Sequence, residues 1–129
     1  VEGVPKEKID SKYVIFEDEL MEDFPSFHLC YWRKCWNIRN LILDLINIDE
    51  RETDGCDFTL EKHELIGIID ALAYFSKLSE EEYKLYYAND IWGYDLMISK
   101  TKMDIDALMW LLDLYDECPN IKVIFYDSY

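Results

Sequence analysis

The sequence predicts a mainly α-helical α+β domain, four-helix bundle-like, with short N- and C-terminal β-strands. Three observations carry this expectation. Apolar residues recur at helical spacing in four stretches between residues 26 and 117. Ser79 with Glu82, and Thr101 with Asp104, have the spacing at which a side chain and the acid three residues on close the first turn of a helix. Two runs, KYVIF at 12–16 and IKVIFY at 121–126, are β-branched and aromatic and read as strands. A chain of 129 residues has single-domain length and can bury an ordinary core.

Residues 1–12 hold Gly3, Pro5 and mixed charge without periodicity, so a flexible tail is expected there. The strand at 12–16 follows, then an acidic run from Glu17 to Asp23. Pro25 and Ser26 open a helix expected over 26–48. On it Tyr31, Cys35, Ile38, Ile42, Leu45 and Ile46 share one arc, with Trp32, Trp36 and Leu43 beside them. Thr59 is expected to cap a second helix reaching Leu78, with Leu65, Ile68, Ile69, Leu72 and Phe75 inward. Ser79 begins the third helix, which Gly93 ends or kinks, and SKTK at 99–102 reads as a polar link. The fourth helix runs from Thr101 to Glu117 and stops at Pro119 and Asn120. The terminal strands are expected to pair with each other or with a further piece of sheet.

The charge is unusual. Asp and Glu number 28 against 13 Lys and Arg, a formal net charge of −15. Such a chain repels phosphate backbones and anionic lipid, so neither nucleic acid nor membrane is expected as a direct partner. A basic protein is the favoured one, although acidity also serves plain solubility. The basic cluster Arg33, Lys34 and Arg39 is expected to pair with the acidic run at 17–23. Cys30, Cys35, Cys56 and Cys118 are read as reduced thiols, since four cysteines in an apolar chain of this size do not make a disulfide scaffold. No stretch is apolar enough to span a bilayer and the N-terminal residues lack a signal-peptide core, which makes the cytoplasm the expected compartment.

Catalytic patterns are missing. The four glycines form no phosphate-cradling loop, no GxSxG elbow occurs, and Gly67 stands where HExxH would need its second histidine. Residues 49–57 lack the ligand pattern of a calcium loop. No enzyme, cofactor or metal is therefore expected.

Two features break structural habit. Read as a helix, the stretch after Ser79 places Leu85, Ala88, Trp92 and Leu96 on a core face. It gathers Glu80, Tyr83, Tyr87, Asp90 and Tyr94 on the other, a stripe of tyrosines among carboxylates. Tyrosine suits wet protein contacts, because a large ring is fixed at small entropic cost and its hydroxyl can bond a partner. A second helical layer covering the stripe is the structural alternative. The last helix carries Asp106, Asp113 and Glu117 on one narrow strip, with Asp116 at its edge. Acids in the final turns oppose the helix dipole by about 0.3–1 kcal/mol each. Lys77, Arg51 or Lys122 folding over these ends would neutralise them; otherwise they face a partner.

The expectation is a small acidic protein that masks a basic one, of the general character of an immunity protein or antitoxin against a nuclease toxin. Its contacts would be Glu80, Tyr83, Tyr87, Asp90 and Tyr94, with Asp106, Asp113 and Glu117 as a second patch. The alternatives are a phage- or plasmid-encoded nucleic-acid mimic that blocks a defence enzyme, and an adaptor or oligomerising domain using Trp32, Trp36 and the tyrosines.

Overall fold

The computed structural model of the chain describes residues 1–15, 23–32, 36–47, 56–87 and 93–127. Among these are four α-helices and a two-stranded antiparallel sheet: α1 (Trp36–Leu45), β1 (Cys56–Leu60), α2 (Lys62–Ser76), α3 (Glu80–Tyr87), α4 (Tyr94–Glu117) and β2 (Val123–Asp127). The mainly helical expectation with a minor sheet is met. No helix among the described residues is long and apolar enough to cross a membrane.

The core forms where α2 packs along α4. Leu65, Ile68, Ile69, Leu72 and Phe75, the inward set expected of the second helix, are all buried. They meet Met97, Leu108, Leu111 and Leu114 of α4 and Ile38 and Ile42 of α1. Helix α1 ends where Asn47 takes a left-handed backbone (φ 59°), a conformation asparagine tolerates better than branched residues. The expected cap of α3 is present, Ser79 N donating to Glu82 Oε1 and Glu82 N to Ser79 Oγ, both at 3.2 Å.

The sheet pairs β2 with β1, in the register Leu60 to Val123 and Phe58 to Phe125. Thr59 therefore lies in a strand and does not cap a helix. The start of α2 is set by Glu61 and Glu64, whose side chains reciprocally accept the exposed backbone N–H groups of its first turn. Cys56, Phe58 and Leu60 alternate with the exposed Asp57 and Thr59, the period-two pattern of a half-buried strand.

The expected strand at 12–16 is displaced by a 3₁₀ turn, Ser11–Tyr13. Asp10 Oδ1 accepts Lys12 N, and the Tyr13 ring stacks on Trp110 at 5.0 Å between centroids. Local turn chemistry and an aromatic partner outweigh β propensity here. The N-terminal β contribution is instead a single bridge between Glu2 and Lys122.

Residues 23–32 are not helical. Pro25, Phe27 and Leu29 are buried and Ser26 and His28 exposed, so this stretch follows a period of two and lies extended against the core. The polar link expected at 99–102 is also absent. Helix α4 runs through it without a break, Thr101 being fully buried with its Oγ1 donating to Met97 O at 2.7 Å. The acidic run through Glu22, together with Arg33, Lys34 and Cys35, lies outside the described residues. Arg39 is buried and bonded to Asp127.

The N-terminal segment is part of the fold and not a tail. Val4 is fully buried in the core, and Gly3 lies against the Asn120 backbone with φ +78°. A Cβ at Gly3 would come within 1.9 Å of the Asn120 carbonyl oxygen, so a side chain requires backbone to move. Gly3→Ala is expected to cost about 1–3 kcal/mol. The loss should show in chemical denaturation, with Gly67→Ala, where a Cβ would make only ordinary contact with Leu45, as the mild control.

Candidate functional site

Helix α4 is 24 residues long, roughly 36 Å at the α-helical rise, and its continuity lines up an extended charged face. Asp95, Ser99, Lys102, Asp106, Met109, Asp113 and Asp116 follow one another in alternating steps of four and three, with Glu117 beside the last, and all are exposed. That alternation keeps side chains on one face of a 3.6-residue helix. The face carries five carboxylates and a single lysine.

Two of these acids are tied to neighbours. Lys62 Nζ lies 2.5 Å from Asp116 Oδ1, and Lys8 Nζ lies 3.6 Å from Glu117 Oε2. Lys62 and Lys8, and not Lys77 or Lys122, thus soften the charge at the helix C-terminus, and Arg51 lies outside the described residues. Both pairs are solvent-exposed and hold little energy. Among the described residues Asp95, Asp106 and Asp113 have no ion-pair partner. The second patch read from the sequence, Asp106, Asp113 and Glu117, is therefore brought together on one open face.

The tyrosine stripe is not. Tyr83 is only 4% exposed, packed edge-on against Phe75 (6.1 Å) and Tyr94 (5.5 Å). Tyr94 is half-buried and its hydroxyl donates to Leu78 O at 2.6 Å. These two rings belong to the packing between α2, α3 and α4, and Tyr83 has almost no surface to offer a partner. Glu80 is exposed and pairs with Lys84 at 3.2 Å. The side chain of Tyr87, and Asp90, lie outside the described residues. Of the expected core face, Leu85 and Leu96 are exposed at 75% and 53%, and Ala88 and Trp92 lie outside the described residues. A short helix can bury one side only, and two rings with a satisfied hydroxyl bury more than two leucines.

One flank of the α4 face is apolar. Leu96 and Met103 border an open groove of about 380 Å³ whose other wall is Ile15 and Tyr31, with Ser99, Lys100 and Asp104 completing it. Beneath it is a polar knot. Asp104 is buried and accepts Trp32 Nε1 and Lys100 Nζ, each at 2.7 Å, while the lysine lies over the Trp32 ring. Burial pushes the nearby Cys30 thiol well above the ordinary cysteine range, the Asp104 carboxylate adds to the rise, and Lys100 opposes it. Trp32 is thereby half-buried with its indole N–H bonded, and the side chain of Trp36, considered with it for oligomerisation, lies outside the described residues.

The sequence reading missed this groove because it broke α4 at residue 99. The available signal was the same four-three alternation, which runs from Asp95 to Asp116 without a gap. At the other end of α4, Tyr115 donates its hydroxyl to Leu60 O, and burial, then Glu64 and Glu61, raises its pKa. Glu61, His63 and Glu64 cluster nearby, with His63 Nδ1 3.2 Å from Glu61 Oε2, but both carboxylates already serve the cap of α2.

Comparison with protein-family models, with curated proteins and with solved structures finds no match.

Proposed function

We propose that this chain is an acidic binding protein that inhibits a basic protein by occlusion, in the manner of a cytoplasmic immunity protein or antitoxin covering the cationic site of a nuclease toxin. The observation that supports this reading is the exposed carboxylate face of α4, in a chain of net charge −15. A nuclease site is cationic because it holds phosphates. A row of fixed carboxylates meets it with complementary potential, steers the encounter and leaves the nucleic acid no room. Catalysis is not required of the acidic partner.

The test is capture of the partner from lysate of the source organism with the wild-type chain and with an Asp106→Lys, Asp113→Lys, Glu117→Lys variant. The expected partner is basic, is released as salt rises, and loses affinity for the variant by about a hundredfold or more. Its nuclease activity should fall on adding the wild-type chain. A partner without a basic surface, or equal capture by the variant, refutes the proposal.

The line of acids along a single helix also favours a second reading, a phage- or plasmid-encoded mimic of nucleic acid that blocks a defence enzyme. Met109 within the line and the apolar flank beside it favour a protein-docking face over a phosphate imitation. In the mimic reading the captured protein is a DNA-binding enzyme and added duplex DNA displaces the chain competitively.

A further inference from the structure

We infer that the groove beside the α4 face receives the apolar side of a cationic amphipathic helix presented by the partner. This deepens the proposed function and rests on it.

The groove is selective by construction. Its walls, Ile15, Tyr31, Leu96 and Met103, are apolar or aromatic and exposed, Met103 at 70%. Its charged groups are already satisfied, since Lys100 and Asp104 hold each other and Asp104 also holds Trp32. Among the described lining residues an entering charge would find no free counter-charge, whereas an apolar side chain displaces water from four apolar neighbours. Methionine adapts its shape, which suits a surface that must close over a foreign side chain.

Charge then decides the occupant. The groove residues of α4 lie between Asp95 and Asp106 in the helix, and the carboxylate face continues past them through Asp113. Lys102 is the one exposed cation of that face. An occupant must therefore offer apolar groups to the groove and positive charge immediately to one side. A helix with apolar residues at i, i+3 or i+4 and Lys or Arg on the adjoining strip has that layout, and it could lie along the roughly 36 Å of α4. A second copy of this chain would bring its own negative face against the first, and an anionic bilayer is repelled.

The test uses two fluorescent peptides of roughly 18 residues made of Leu and Lys, identical in composition. One has its leucines at helical i, i+3, i+4 spacing; the other is permuted so that no face is apolar. Anisotropy titration should show the amphipathic peptide binding the intact chain at least about tenfold more tightly. Leu96→Asp should remove that advantage and leave the weaker, salt-sensitive binding of the permuted peptide in place. Met103→Glu is the second variant, and both side chains are exposed enough that a thermal melt should be unchanged. Joint Asp106→Asn and Asp113→Asn should weaken both peptides.

Equal binding of the two peptides, or an amphipathic advantage untouched by Leu96→Asp and Met103→Glu, overturns the groove assignment while the acidic face stands. Binding insensitive to the two Asp→Asn changes overturns the acidic face itself. A free protein that sediments as a dimer, and becomes monomeric on Leu96→Asp, overturns the inference in favour of a second copy as occupant.

Discussion

Asp127→Ala is expected to cost about 3–5 kcal/mol, enough to leave a domain of ordinary stability largely unfolded. Asp127 is 3% exposed and Arg39 8%. Arg39 donates through Nε to Oδ1 at 2.7 Å and through Nη2 to Oδ2 at 2.9 Å, a two-pronged match that joins α1 to the end of β2. Removing the carboxylate takes the acceptors from Nε and Nη2 of a buried guanidinium, and arginine cannot escape by losing its proton. The cost comes from buried N–H groups that lose these two acceptors and not from the net value of the pair. Replacing both residues together, Arg39→Met with Asp127→Leu, should recover most of the loss or exceed wild type. Urea denaturation of the four proteins in the cycle checks this. A single Asp127→Ala loss below about 1 kcal/mol would mean that water reaches the pair.

That pair also shows where sequence reading reaches its limit. Local charge points Arg39 to the nearest acidic run, residues 17–23, and gives no hint of Asp127, a partner at the far end of the chain. The inward face of α2 and the cap at Ser79 were legible because both depend on residues three or four apart. Distant choices were not. Period two at Pro25, Phe27 and Leu29 spans too few positions to stand against the helical spacing of the apolar residues from Tyr31 onward. The side of α3 that turns inward was decided by Phe75, on another helix, which gives Tyr83 a ring to pack against.

For the candidate site the same division holds. Asp106, Asp113 and Glu117 were legible as one strip because an uninterrupted helix keeps its own registry. The groove was not, since it needs Ile15 and Tyr31 brought to α4 from about a hundred residues away or less, and needs Lys100 and Thr101 read as helix interior. Polar residues at 99–102 signal a link only when nothing buries them. Here Met97 O and Asp104 supply partners within one turn, so the helix keeps its polar groups bonded and continues.

Asp104 is the second residue whose loss should be felt strongly. Asp104→Ala removes the acceptor of both Trp32 Nε1 and Lys100 Nζ, at an expected cost of about 2–3 kcal/mol, less than at Asp127 because Lys100 is partly exposed and can turn its ammonium to water. Asp104→Asn keeps an acceptor for the indole and should cost less. The two also differ from an ordinary core change at alkaline pH. In the native state the Cys30 thiol is raised by burial and then by Asp104, so the unfolded chain releases this proton first. The resulting stability is complete below the unfolded thiol pKa, about 8.5, and is lost as pH rises towards the native value, at no more than about 1.4 kcal/mol per pH unit from this group. Tyr115, also raised, steepens the decline from about pH 10. Cys30→Ala should therefore flatten the fall in denaturation midpoint between about pH 8.5 and 10, and Asp104→Ala should flatten it partly. An identical slope in wild type and Cys30→Ala would show that this thiol is not held in the closed, carboxylate-flanked place that the Trp32, Lys100 and Asp104 contacts define.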